Sequence, residues 1–262
     1  MSPGSSIVGA LRAAGCVFAE DEAALLMEAA HDAAHLQRMV GQRIGGMPLE
    51  HILGWVEFHG TRMIVEPGVF VPRRRTEFLV RQAASLAKPG AVVVDLCCGS
   101  GAIGAAVHDA LGTSELYAAD IDPVAVACAR RNIEPRGGSV HQGDLFAPLP
   151  RQLMARIDVL LVNAPYVPTD SIRTMPPEAR LHEPRTALDG GTDGLAVQRR
   201  VVEGALEWLA PGGLVLIESS AEQAPETARI MSGAGLTVRL AFDMDVDATV
   251  ALGLAPGASL HP

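Results

Sequence analysis

The chain has 262 residues and 30 acidic against 21 basic side chains, a net charge of -9, which suits one α/β domain plus a small accessory unit and argues against a broad nucleic-acid surface. The one local basic cluster is Arg73-Arg74-Arg75, and no apolar run reaches membrane-spanning length. Cys16, Cys97, Cys98 and Cys128 lack metal-ligand spacing, adjacent Cys97 and Cys98 make a poor disulfide framework, and MSPGSSIVGA lacks the order of a signal peptide, so a cytoplasmic location is expected.

Residues 1–54 are read as a helical N-terminal unit. Leu25, Leu26, Ala29 and Ala30 share one helical face, and Leu36, Met39, Val40 and Ile44 continue it until Gly45-Gly46 and Pro48 stop the helix. Residues 55–72 alternate around His59-Gly60 and predict a hairpin linker. Residues 73–262 then repeat strand and helix. Strands are expected at Ala91 to Asp95, Leu116 to Asp120, Ser139 to Gln142, Ile157 to Val162 and Gly213 to Glu218. An antiparallel pair, Thr237 to Phe242 and Ala248 to Leu252, completes seven strands. This alternation predicts an α/β fold with helices on both faces of a mainly parallel sheet, and a ligand at the strand carboxyl ends.

The first of those strands leads into VVVDLCCGSGAIG, where Gly99, Gly101 and Gly104 formally match the dinucleotide fingerprint. A pyrophosphate on that loop would be repelled by Asp95 at the strand end, whereas the sulfonium and ammonium groups of S-adenosylmethionine would be attracted. Two more acids follow in order, Asp120 for the ribose hydroxyls and Asp144 for the adenine amine. After the fourth strand come Asn163-Ala164-Pro165-Tyr166. The asparagine oxygen and the Ala164 carbonyl can accept both hydrogens of a planar nitrogen, and a tyrosine ring can cover its face. Such a tetrad is also an ordinary turn.

Other polar residues receive structural readings. Asp122 before Pro123 is expected to cap a helix, and Asp144 could equally cap the residues that follow it. His51 and His59 are expected to be hydrogen-bonded structural histidines. One of Arg73 to Arg75 is expected either to face solvent or to contact the substrate or the donor carboxylate. Asp243, Asp245 and Asp247 lack the glycine and later glutamate of a calcium loop, so no metal is assigned.

From Pro48 to about Gly253 the chain resembles the protein-glutamine methyltransferases that modify peptide-chain release factors. The resemblance rests on PLEHILGWVEFHG, FVPRRRTEFLV, VVDLCCGSGAIG, DLF at Asp144 to Phe146, NAPYVP, EPRTALDGGTDGL and LAPGGLVLIE. It implies a class I, Rossmann-like methyltransferase fold that uses S-adenosylmethionine. Cys97, Cys98, Gly99, Ser100 and Gly101 would surround the methionine part of the donor, Asp120 would hold the ribose, and Leu145 would lie beside the adenine. Asn163 to Tyr166 would hold a glutamine of a protein, with Asn163 and Tyr166 catalytic, Asn163 also touching the donor, and Arg73 near the acceptor. The helical unit would resemble a substrate-recognition domain.

Four departures stand out. Ala164 replaces a proline of the usual N-P-P-Y, Cys97 a glycine, Leu145 a common tryptophan, and Pro72-Arg73-Arg74-Arg75-Thr76 stands where P-R-P-E-T is usual. Cys97 would be strained if the turn needs positive φ. A base amine of nucleic acid and a small metabolite therefore remain alternative acceptors, as does a donor-binding protein without turnover.

Overall fold

The structure, a computed structural model, describes residues 3–257. Four helices, α1 (Pro3–Ala13), α2 (Ala19–Ala29), α3 (Ala33–Ile44) and α4 (Leu49–Leu53), open the chain. They pack around Leu11, Ala23, Leu26 and Met39. Asp32 caps α3 by accepting from the His35 amide at 2.6 Å, and Gly46, at φ 90°, follows its end. The expected stripe holds at Leu26 and Met39 but not at Ala29 or Ile44, which are exposed. The buried face of α2 runs instead through Ala19, Glu22, Ala23 and Leu26, because α1 and α3 cover it from that side.

Strands β1 (Trp55–Phe58) and β2 (Thr61–Ile64) form the expected hairpin. His59 and Gly60 turn it with φ of 50° and 74°, the paired positive values that match strand twist. The hairpin is more than a linker. Val56, Phe58, Met63 and Val65 belong to the main core, and Asn132 bonds both the amide and the carbonyl of Ile64 at 2.8 Å.

The remaining chain alternates as the sequence predicts: α5 (Glu77–Leu86), β3 (Ala91–Leu96), α6 (Ala102–Leu111), β4 (Ser114–Asp120), α7 (Pro123–Ile133), β5 (Ser139–Gln142), β6 (Ile157–Val162). Short helices α8 (Pro177–His182) and α9 (Arg185–Leu188) precede α10 (Ala196–Trp208), β7 (Leu209–Ser219), α11 (Ala224–Gly233), β8 (Thr237–Asp243) and β9 (Ala248–Leu254). The sheet order is β5-β4-β3-β6-β7-β9-β8, parallel from β5 to β7, with β9 antiparallel to both β7 and β8. This is the seven-stranded α/β sheet expected.

Every residue of β3 is buried, as a central strand covered on both faces must be. Val93 joins the core under α5, α6 and α7, while Val92, Val94 and Leu96 join the core under α10, with Val201, Val202 and Trp208. The chain leaves β3 outward through β4 and β5, then returns to β6 on β3's other side. That reversal opens a crevice at the strand carboxyl ends.

Candidate active site

A cleft of about 890 Å³ occupies that crevice. Its floor is the turn from β3 into α6. Cys98 accepts from the Gly101 amide at 2.7 Å, and the chain passes through φ of 55° at Cys97, 55° at Gly99 and 75° at Gly101. Cys97, Cys98, Gly99 and Ser100 line the cleft. Gly101 does not. A Cβ there would lie 2.7 Å from Cδ1 of the fully buried Ile133, so this glycine serves the close packing of α6 on α7.

Asp95 departs from the sequence reading in the same way. Its carboxylate is fully buried beneath the turn, is absent from the cleft wall, and accepts from the Gly104 amide at 2.9 Å. The other oxygen has no partner among the described residues. Burial pushes this carboxyl up to about 7, the Gly104 bond opposing and the neighbouring Asp120 adding to the rise. Asp95 braces the loop from below; it is no wall of the site.

Asp120 does line the cleft. Its two oxygens accept from the Gly99 amide at 2.8 Å and the Asp122 amide at 2.9 Å. A carboxylate has roughly four acceptor positions, so two remain for a diol. Burial holds this carboxyl above the usual range, against those two bonds. Asp122 caps α7 through the Val124 amide at 2.8 Å, with Pro123 at the first helical position, as expected. Asp144 and Leu145 also line the cleft, Leu145 at φ 49°. Asp144 caps nothing by its side chain; it pairs with Arg200 of α10 at 2.5 Å.

Asn163, Ala164, Pro165 and Tyr166 line the cleft where β6 ends beside β3. Asn163 is half-buried, and its carboxamide bonds no other described residue. The tetrad's main chain is fixed from outside. Val167 donates to Leu188 and accepts from Gly190, while Gln223 donates to the Tyr166 carbonyl at 3.0 Å. Cβ atoms at Gly190 and Gly194 would fall 2.7 Å from the Pro165 carbonyl oxygen and 2.2 Å from that of Tyr166. The glycines of EPRTALDGGTDGL therefore have a physical purpose: they let one backbone lie against another.

The arginine cluster divides. Arg73 lines the cleft, pairs with the buried Glu183 and lies over the Phe70 ring at 5.0 Å. Arg75 donates to the Tyr166 hydroxyl at 2.5 Å. His51 is buried and bonded to the Val69 carbonyl at 2.9 Å, its pKa lowered by burial, and the His59 amide donates to Glu77. Glu183, Arg200, Gln223 and Glu218 were not singled out as site residues from the sequence. Glu218 carried a legible signal, since it is an acid near a strand's carboxyl end like Asp95 and Asp120. All four cysteines are free, and burial raises the Cys97 and Cys98 thiols. Among the described residues no group of three His, Cys, Asp or Glu is arranged to hold a metal, and no helix is long and apolar enough to cross a membrane.

A family model described as the methyltransferase small domain matches residues 60–192. A release factor glutamine methyltransferase of Geobacter sulfurreducens is 39% identical over 199 residues, 75% of this chain and 69% of that protein. One of Streptomyces coelicolor is 37% identical over 194 residues, 72% of this chain and 69% of that protein. The chain belongs to the release factor glutamine methyltransferase family. A solved methyltransferase of Pyrococcus furiosus shares the fold at a TM-score of 0.58 and 17% identity, over 75% of this chain and 90% of that one. The ribosomal protein L11 methylase of Lactobacillus delbrueckii subsp. bulgaricus does so at 0.51 and 16%, over 70% and 80%.

Within the family, this chain's departures have visible consequences. Cys97 takes a left-handed conformation, a strain of about 1 kcal/mol that the surrounding turn must hold. Arg75 reaches the tetrad's tyrosine directly.

Proposed function

We propose that the protein transfers a methyl group from S-adenosylmethionine to the side-chain amide nitrogen of a glutamine in a protein, a peptide-chain release factor being the natural acceptor given its relatives. One observation carries this reading: the unbonded Asn163 carboxamide shares a single cleft with the turn at Cys97 to Ser100 and with Asp120.

The residues present fit a phosphate-free cationic donor. Asp120 and Asp144 border the cleft, and Arg200, which also lines it, is already paired with Asp144. Asp120 would accept the ribose hydroxyls, the turn Cys97 to Ser100 would surround the methionine part, and Leu145 and Asp144 would meet the adenine. Asp95 and Gly101 would act indirectly, by holding that turn. When bound, the donor supplies an electrophilic methyl group and leaves as a neutral thioether.

An amide nitrogen is a poor nucleophile because its lone pair is delocalised, so alignment must supply most of the help. Asn163 Oδ1 and the Ala164 carbonyl would accept the two N–H bonds and stabilise the positive charge that grows on nitrogen. Tyr166 would pack on the amide plane. The proton left on the methylated nitrogen would pass to water. The helical unit of residues 1–54 is proposed to meet the protein acceptor.

The test is incubation with methyl-labelled donor and a bacterial lysate, with and without nuclease, followed by size fractionation and peptide mapping. Label on a glutamine of a protein is expected. Label removed by nuclease, or found only among small molecules, overturns the assignment.

A further inference from the structure

Three separate segments meet at one guanidinium. Arg75 sits in the turn Arg74–Thr76 before α5, Tyr166 in the loop after β6, and Glu218 near the end of β7. Arg75 donates to the Tyr166 hydroxyl at 2.5 Å, and its Nε lies 3.7 Å from Glu218 Oε1. The Glu218 side chain is 5% exposed, so it is a fixed anchor, whereas that of Arg75 is 44% exposed and would otherwise be free to wander. A guanidinium is planar with its donors in a fixed fork, so a hydrogen bond to the tyrosine on one edge and an ion pair with Glu218 on another together fix its plane. The Tyr166 main chain is already held by Gln223. What the guanidinium adds is control of the ring.

We infer that Arg75, anchored by Glu218, is a positioning residue that sets the angle of the Tyr166 ring over the acceptor amide. This rests on the function proposed above. A plain counter-ion role, in which Arg75 only neutralises Glu218, would leave the tyrosine indifferent to its loss.

The chain has two tyrosines, so fluorotyrosine labelling gives two resonances, and Tyr166→Phe identifies which belongs to position 166. In Arg75→Ala the Tyr166 resonance is expected to move and broaden while that of Tyr117 stays put. An unmoved Tyr166 resonance overturns the inference whether or not any acceptor is methylated, which separates its failure from that of the proposed function. In turnover, Arg75→Ala should lower kcat/KM for the protein acceptor by about tenfold with donor affinity unchanged, and the double variant with Tyr166→Phe should be no worse than either single one. Fully multiplicative losses in the double variant would contradict the relay. If Arg75→Ala folds poorly, Arg75→Ala with Glu218→Gln removes the unpaired buried charge, and the displaced Tyr166 resonance should persist.

Discussion

Asp95 shows how one carboxyl group can shape the floor of the cleft without lining it. Its burial raises its pKa from 3.8 to about 7, so the folded state holds the proton more tightly than the unfolded chain. Stability from this group is therefore full below about pH 4 and falls as pH rises toward 7, a loss on the order of 4 kcal/mol. Thermal melts of Asp95→Asn should change less than those of wild type between about pH 5 and about pH 8. Equal pH profiles would mean that Asp95 is ionised in the fold without penalty. The sequence placed three acids at three strand ends, and Asp120 and Asp144 do face the cleft. Which side of its loop Asp95 takes was not legible, because that depends on the Gly104 amide turning beneath the loop.

At the scale of elements, strand–loop–helix alternation was readable because central parallel strands are apolar throughout and their ends carry polar residues. The glycine pattern was readable too, but not its division of labour. Gly99 lines the cleft at positive φ, whereas Gly101 lets α6 approach Ile133. Gly101→Ala should cost about 2 kcal/mol by overpacking and strain. Its Tm should fall by roughly 4–8 °C; an unchanged Tm would show that Ile133 yields freely. The segment from Val167 to Leu195 was not legible as structure. Helices of six and four residues, α8 and α9, are too short to form on propensity; the Leu188 carbonyl of α9 accepts from the Val167 amide, and Glu183, just after α8, pairs with Arg73.

Across the whole molecule, Arg43 links the N-terminal helices to the lining of the cleft. Arg43 of α3 donates to Glu22 at 2.6 and 3.2 Å and to the Met47 carbonyl at 3.0 Å, and lies 3.4 Å from Glu178 of α8, which lines the cleft. Glu22 and Arg43 are 11% and 12% exposed, so Arg43→Ala would strand a nearly buried carboxylate at a cost of about 3 kcal/mol. Denaturant melts should show that loss, and Arg43→Lys should recover only part of it, since an ammonium cannot reproduce the fork. A loss below about 1 kcal/mol would make this pair an ordinary surface one. Helical periodicity disclosed α3, but not a contact between segments this far apart in the chain.

The proposed function depends on Asn163 aiming a planar nitrogen at the donor's methyl group. The direct measurement compares wild type and Asn163→Ala by calorimetric donor titration and single-turnover methyl transfer to the protein acceptor. Donor affinity within about twofold and transfer reduced by at least about a hundredfold are expected, the scale of losing one oriented acceptor in a closed site. Undiminished transfer by Asn163→Ala would contradict it.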